Sequence, residues 1–263
     1  MSNKRILNLT SKKKRDTMIT YTNTVSGTDA GSETYFNGAA TLDGARDYIF
    51  AWCPTKRDAD HFGDTDVKLN DDAVRGANVC YMRGLKERIH IQTSSGIPWN
   101  WRRICFTMKG DELYNLEESG YHLEALTSNG YARVTNSLGK SHMADKLLSI
   151  LFKGTQGTDW ASRYSAKADN ANLTIKYDRT WKIQSGNDSG CLLQRNLWHP
   201  MNKNLHYDET EFGDKQVGSG WSVTGKQGMG DYYIVDLIRA GTGGTTSDFM
   251  TFQPEATLYW HEK

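Results

Sequence analysis

The stretch that decides the fold is Asn78-Val79-Cys80-Tyr81-Met82-Arg83-Gly84-Leu85-Lys86-Glu87-Arg88-Ile89-His90-Ile91-Gln92-Thr93, which runs through Ser94-Ser95-Gly96-Ile97-Pro98 into Trp99-Asn100-Trp101-Arg102-Arg103-Ile104-Cys105-Phe106-Thr107-Met108-Lys109. Ile89 and Ile91 point one way and His90 and Gln92 the other, the period-2 pattern of a half-buried strand. In the second run Ile104, Phe106 and Met108 share a face. Two such runs joined by a short segment predict a hairpin with a longer loop.

Outward from this pair, further short strands are predicted over residues 16–25, 46–53, 172–177, 179–184, 191–198, 231–238 and 249–260, separated by Gly, Asn, Asp and Ser. Pro54 stops the second of these, and residues 27–44 and 56–72 read as loops. One helix stands out: Ser141 suits its N-cap, Met143, Leu147, Ile150 and Leu151 recur at helical spacing, and Gly154 fits just past its end. No internal repeat is present. Strands in this number, with one helix, predict an all-β fold, a single jelly-roll β-sandwich of about eight strands with one short amphipathic helix and long loops.

Charge is segregated along the chain. The formal net charge is +1, but residues 1–15 hold Lys4, Arg5, Lys12, Lys13, Lys14 and Arg15 and no acid, leaving 26 basic and 31 acidic residues beyond them. Six like charges in a row of fifteen residues resist burial and call for water or a polyanion. The expected division is a basic N-terminal arm over residues 1–16 and a sandwich domain over 17–263. Lys12 to Arg15 also fit a short nuclear-import signal. A solvated, functionless terminus is the plain alternative.

Trp99-Asn100-Trp101-Arg102-Arg103 sets two indoles beside two guanidiniums. Trp101 could stack on an unpaired base while Arg102 and Arg103 grip phosphate. Alternatively, both tryptophans are core and the arginines pair with acids. The four cysteines at 53, 80, 105 and 191 have no CxxC spacing and read as free, mostly buried thiols of a reducing compartment. No apolar run approaches the roughly 20 residues of a membrane span, so no membrane partner is expected.

Motifs for catalysis or cofactors are weak. Gly220 to Lys226 has phosphate-loop spacing, but Gln227 replaces the magnesium-binding hydroxyl and no helix start follows. Around Gly139-Lys140-Ser141 a helix follows, but Val134 stands where the first glycine belongs. Asp58, Asp60, Asp64 and Asp66 mimic part of a calcium loop whose closing Glu is replaced by Leu69. Glu117-Glu118 and Asp71-Asp72 read as exposed turns, and the seven histidines have no zinc-ligand spacing. The expectation is no enzyme, no cofactor and no metal. A sugar-binding sandwich using some of its eight tryptophans, or a jelly-roll glycosidase with a carboxylate pair, stays open on residues alone.

Several longer words carry a resemblance. Ile6-Leu7-Asn8-Leu9-Thr10-Ser11-Lys12-Lys13-Lys14-Arg15-Asp16-Thr17-Met18 is similar to the segment before the first strand of genomovirus capsid proteins, which belong to small circular single-stranded DNA viruses and are similar to geminivirus coat proteins. Ser185-Gly186-Asn187, Trp198-His199-Pro200-Met201-Asn202-Lys203-Asn204-Leu205, Tyr207-Asp208, Gly228-Met229-Gly230-Asp231-Tyr232-Tyr233 and the ending Ala256-Thr257-Leu258-Tyr259-Trp260-His261-Glu262-Lys263 resemble the same family, in order. The resemblance implies a jelly-roll subunit that closes with others, on the order of sixty copies, into an icosahedral shell around single-stranded DNA. It implies a virion and a nuclear stage served by host import machinery, with Lys12 to Arg15 as part of both the import signal and a DNA-facing arm, to which the charge pattern adds Lys4 and Arg5. Family members open with a long arginine-rich arm, so the natural chain is expected to extend upstream of Met1.

Overall fold

The strand-forming runs lie in two large sheets and one small one. The computed structural model describes residues 3–25, 34–59, 72–116, 121–128, 130–139, 141–213 and 215–263. Helix α1 (Asn3–Thr10) leads into β1 (Lys12–Met18), β2 (Thr20–Thr22), β3 (Phe36–Asn37), β4 (Ala40–Asp43), β5 (Asp47–Trp52), β6 (Val79–Thr93) and β7 (Trp99–Met108). After a 3-10 turn at Tyr114–Leu116 come β8 (Ala125–Thr127), β9 (Gly130–Thr135), α2 (His142–Leu151), β10 (Thr174–Ile183), β11 (Leu192–Phe212), β12 (Lys215–Ser222), β13 (Asp231–Ala240) and β14 (Phe249–Glu262). The larger sheet runs β1-β14-β6-β11-β12, with β4 pairing β14 beyond the end of β1; the second runs β10-β7-β13-β5; the small sheet runs β3-β2-β9-β8.

The two large sheets make an all-β sandwich. Ile89, Ile91, Met250 and Phe252 of the first pack on Trp99, Trp101, Tyr48 and Phe50 of the second. Nearer the other end Leu85, Leu258 and Trp260 meet Cys105, Ile234 and Trp52. The hairpin expected between β6 and β7 does not form. β6 lies between β14 and β11, and β7 between β10 and β13, so residues 94–98 cross from one sheet to the other. Alternation reveals which face of a strand is buried, not which strand lies beside it. Crossing over lets Ile89 and Ile91 face Trp99 and Trp101 instead of lying alongside them.

Other boundaries move for local reasons. The two strands predicted over 172–184 are one, β10, with a register shift between Ile175 and Tyr177. β11 runs on past Pro200 because the register shifts between Pro200 and Lys203, where a missing N–H breaks no ladder bond. β3 and β4 fall inside the expected 27–44 loop. The helix α2 is as expected: Ser141 Oγ accepts from the Ala144 amide at 3.1 Å, and Gly154 has φ +83°. Met143, Leu147 and Leu151 pack on Ile104, Phe106 and the rest of the outer face of the second sheet, so β7 is buried on both sides.

Residues 12–16 are not an arm. β1 pairs with β14 from Lys12 opposite Glu262 to Met18 opposite Ala256. A lysine run enters a sheet here because its side chains alternate: Lys13 and Arg15 face water, whereas Lys14 is 3% exposed and has an acid waiting for it.

Charge also reaches the centre of the sandwich. Glu87 (β6), Arg103 (β7), Arg133 (β9), His199 (β11) and Asp236 (β13) are all buried, and they tie the three sheets together. Arg103 grips Asp236 with Nε at 2.7 Å and Nη2 at 2.8 Å and also bonds Glu87. Arg133 Nη2 lies 3.0 Å from Asp236 and its Nε 3.4 Å from Glu87, while His199 Nε2 is 3.1 Å from Glu87. Two guanidiniums thus balance two carboxylates, which is the condition for ions to survive out of water.

Two buried acids set opposite pH slopes. Burial alone would raise Glu87, but Arg103, the bond to His199 and Arg133 bring it down to about 2. The stability it contributes is present above its ordinary value of 4.5 and lost as pH falls from there toward 2. Burial pushes Asp231 up to about 6, against bonds from Ser222 and Thr55. Its neutral form suits the fold, so that contribution is complete below 3.8 and is lost as pH rises through about 6. Urea midpoints measured against pH are expected to decline between about pH 4 and 6. Asp231→Asn is expected to remove that decline and Glu87→Gln the steeper acid limb. Unchanged slopes in the variants would contradict this assignment.

Candidate nucleic-acid interface

The sequence pointed to Trp101, Arg102 and Arg103, and the structure places all three inside the protein. Trp101 is 0% exposed, stacks on Trp181 with ring centroids 4.3 Å apart and donates from Nε1 to Asp236 at 2.7 Å. Arg103 belongs to the central ion network. Arg102 holds Asp178 with two bonds of 2.9 and 2.7 Å and donates to the carbonyls of Arg163 and Ala166, both at 2.8 Å. A base or phosphate cannot reach these groups in the folded chain, which corrects their assignment to DNA. The acids that claim them lie far away in sequence, and that is why the pattern misled.

Of the basic opening, the backbone of Lys4 and Arg5 lies on α1, and their side chains fall outside the described residues. Lys12 is half-buried opposite Glu262, Lys13 and Arg15 are exposed, and Lys14 is withdrawn. Lys14 Nζ sits 3.1 Å from Glu262 and donates to the Val74 carbonyl at 2.5 Å. Glu262 also accepts from Trp260 Nε1 at 2.7 Å and the Gly76 amide at 3.1 Å. Lys14 therefore cannot be read as part of an import signal or touch DNA while β1 is docked. Lys14→Ala is expected to cost about 3 kcal/mol of stability by stranding a buried carboxylate. Lys13→Ala is expected to change it by less than about 0.5 kcal/mol. Urea unfolding of the two variants compares them directly, and equal midpoints would refute the distinction.

The surface that does gather cations is the outer face of the larger sheet. Across neighbouring strands Lys13 stands opposite His261 and His261 opposite Tyr81; Lys86 stands opposite Thr257 on one side and Trp198 on the other. Arg83, Lys86 and Arg88 are exposed on β6, and Trp198 is 49% exposed on β11. A groove of about 300 Å³ is lined by Lys13, Arg83, Lys86, Trp198, Tyr259 and His261, with edges of Lys14 and Trp260. Among the described residues, no carboxylate lines it. Partial burial, then Arg83 and Lys13, hold His261 below the usual imidazole value.

Gly84 builds this groove. Its φ is +152°, and a Cβ there would lie 2.6 Å from the His199 carbonyl oxygen and 2.7 Å from Trp198 Cζ2. The Trp198 indole therefore lies directly over bare backbone, with Tyr259 tilted against it at 6.0 Å. Beside it Arg83 Nη1 donates to Asn202 Oδ1 at 2.5 Å, and Asn202 takes the left-handed φ of 50° that lets β11 bulge. The word Trp198-His199-Pro200-Met201-Asn202 thus reads as one device. Trp198 faces out, His199 reaches in to Glu87, Pro200 and Asn202 make the bulge, and Met201 is buried.

Arg83, Lys86, Trp198, Tyr259 and His261 were not singled out from sequence as binding residues. The glycine inside a strand pattern was the available signal, because it marks a bulge that shifts the alternation and brings Arg83 and Lys86 to one face.

The remaining motifs do not assemble a site. The first phosphate-loop glycine, Gly220, backs onto Asp58, whose Oδ1 would clash with an added Cβ, leaving a carboxylate where a phosphate would go. Lys140, Asp60, Asp64, Asp66, Leu69, Asp71, Glu117 and Glu118 lie outside the described residues. Among the described residues, no three His, Cys, Asp or Glu side chains are grouped to hold a metal, and no helix is long and apolar enough to cross a membrane. Cys53, Cys80, Cys105 and Cys191 are free thiols, three of them buried. No protein-family model and no curated protein matches the chain.

Proposed function

We propose that this chain is a structural capsid protein of the genomovirus type. In this reading it assembles, on the order of sixty copies, into a small icosahedral shell around single-stranded DNA. The strand order is the observation that carries the reading. Counting β4, β5, β6, β7, β10, β11, β13 and β14 from one to eight, the sheets run 1-8-3-6 and 5-4-7-2. That interleaving is what two nested Greek keys produce, and it supports a jelly roll, an architecture of viral shells. The family resemblance of the chain's longer words and the cationic outer face of the larger sheet point the same way.

Such a subunit needs no active site and no cofactor. Its partners are further copies of itself and the genome, its place is the virion, and its assembly belongs to the host nucleus. Affinity for the genome would come from releasing counterions, independent of sequence and sensitive to salt. Size-exclusion chromatography with the A260/A280 ratio, followed by electron microscopy, tests the reading. Closed particles containing nucleic acid are expected. Dispersed single molecules free of nucleic acid under all buffers would overturn it and favour a sugar-binding sandwich.

A further inference from the structure

We infer that the groove over Gly84 is a seat for an unpaired nucleobase, stacked on Trp198, with its flanking phosphates held by Lys13, Arg83 and Lys86. This inference rests on the proposed nucleic-acid role and adds to it a place on the subunit and the group held there, a base face as well as phosphates.

Three features select that occupant. First, the indole is half exposed although Tyr259 and the backbone at Gly84 fix its position, so a flat π-surface is presented without having to be ordered on binding. Second, cations flank it from two strands, Lys13 on β1 and Arg83 and Lys86 on β6, with the His261 ring on β14 between them. A duplex would offer only its phosphates, because its base faces are already stacked; a single strand offers both groups the site is built for. Third, among the described residues the lining holds no carboxylate, which a sugar site would ordinarily use to accept from hydroxyls and which would repel phosphate. Strands in a sheet lie about 4.8 Å apart, so β1 to β11 spans roughly 14 Å and the base and its neighbouring phosphates fit in one crossing of the sheet.

The test measures fluorescence anisotropy of labelled thymidine oligonucleotides about ten residues long, within the site sizes of single-strand binders. An abasic strand of equal length and the corresponding duplex serve as comparisons, each over a salt series. The full chain is expected to prefer thymidine over abasic strand by about tenfold or more. Trp198→Ala is expected to erase that preference while leaving the salt slope unchanged. Joint replacement of Lys13, Arg83 and Lys86 by alanine is expected to weaken both strands alike and flatten the slope. Trp198→Phe keeps an aromatic on Gly84 and is expected to fall between, which guards against a folding defect in the alanine variant.

Equal affinity for thymidine and abasic strands, with a normal salt slope, would overturn the base seat while sparing the nucleic-acid reading. A thymidine preference that survives in Trp198→Ala would place the base elsewhere and also overturn the seat. Loss of self-association by Trp198→Ala with that preference intact would make the occupant a second copy of this chain. No salt-dependent binding to any strand would defeat both the seat and the role it rests on.

Discussion

Arg103→Ala is expected to lower the stability of the subunit by about 3–5 kcal/mol, the cost of removing one partner from a buried ion network. A domain has only about 5–15 kcal/mol to lose, so much of the protein would be unfolded or fail to accumulate. The reason lies in what remains: Asp236 would keep Arg133 and the Trp101 indole, but Glu87 would keep only Arg133 at 3.4 Å and His199 at 3.1 Å. Arg102→Ala is expected to cost less, because the side chain of its partner Asp178 is 31% exposed and water can replace the guanidinium. Arg103→Met combined with Glu87→Gln removes one charge of each sign. It is expected to be less destabilising than the two single changes summed, a coupling that a double-mutant cycle in urea measures. An Arg103→Ala midpoint within about 1 kcal/mol of the parent would mean that the network contributes little.

Gly84→Ala is the second large effect, expected at about 2–5 kcal/mol from backbone strain and overpacking together. The added methyl would meet the His199 carbonyl at 2.6 Å, and that carbonyl belongs to the residue bonded to Glu87 inside the sandwich. Relief would therefore have to come from moving β11 away from the ion network or Trp198 off the sheet. The useful control is Gly157→Ala: Gly157 also has a positive φ, +86°, but nothing lies within 4 Å of its missing Cβ. It is expected to cost about 1 kcal/mol. Thermal or urea unfolding of the pair separates crowding from strain, and equal losses would show that Gly84 is not a close-packed seat.

Much of the sandwich was legible because strands and helices advertise their buried faces. Ile89, Ile91, Ile104, Phe106 and Met108 sit as alternation predicts, and α2 begins at its serine cap. Partnership was not legible, since period 2 says nothing about which strand lies alongside; hence the expected β6–β7 hairpin. The candidate site was read less well. Trp101, Arg102 and Arg103 look like a nucleic-acid grip until the remote acids Asp178 and Asp236, with Glu87 on the preceding strand, are seen to hold the arginines. Lys14 looks like one more solvated cation until the fold delivers Glu262 from the opposite end of the chain. Arg83 and Lys86 stand three positions apart, a spacing that strict alternation puts on opposite faces, and only the bulge at Gly84 reunites them.

The pairing of β1 with β14 also sets a schedule. Residues 256–262 are made long after β1, and until they are made Lys13 has no strand to lie against and Lys14 no Glu262 to pair with. The groove takes Tyr259 and His261 from that same segment. A chain made only as far as β13 therefore carries an unfinished sheet edge and an incomplete groove. The groove is therefore displayed only by a chain that has been made through β14 and has folded, so its assembly waits on a strand pairing between distant parts of the sequence.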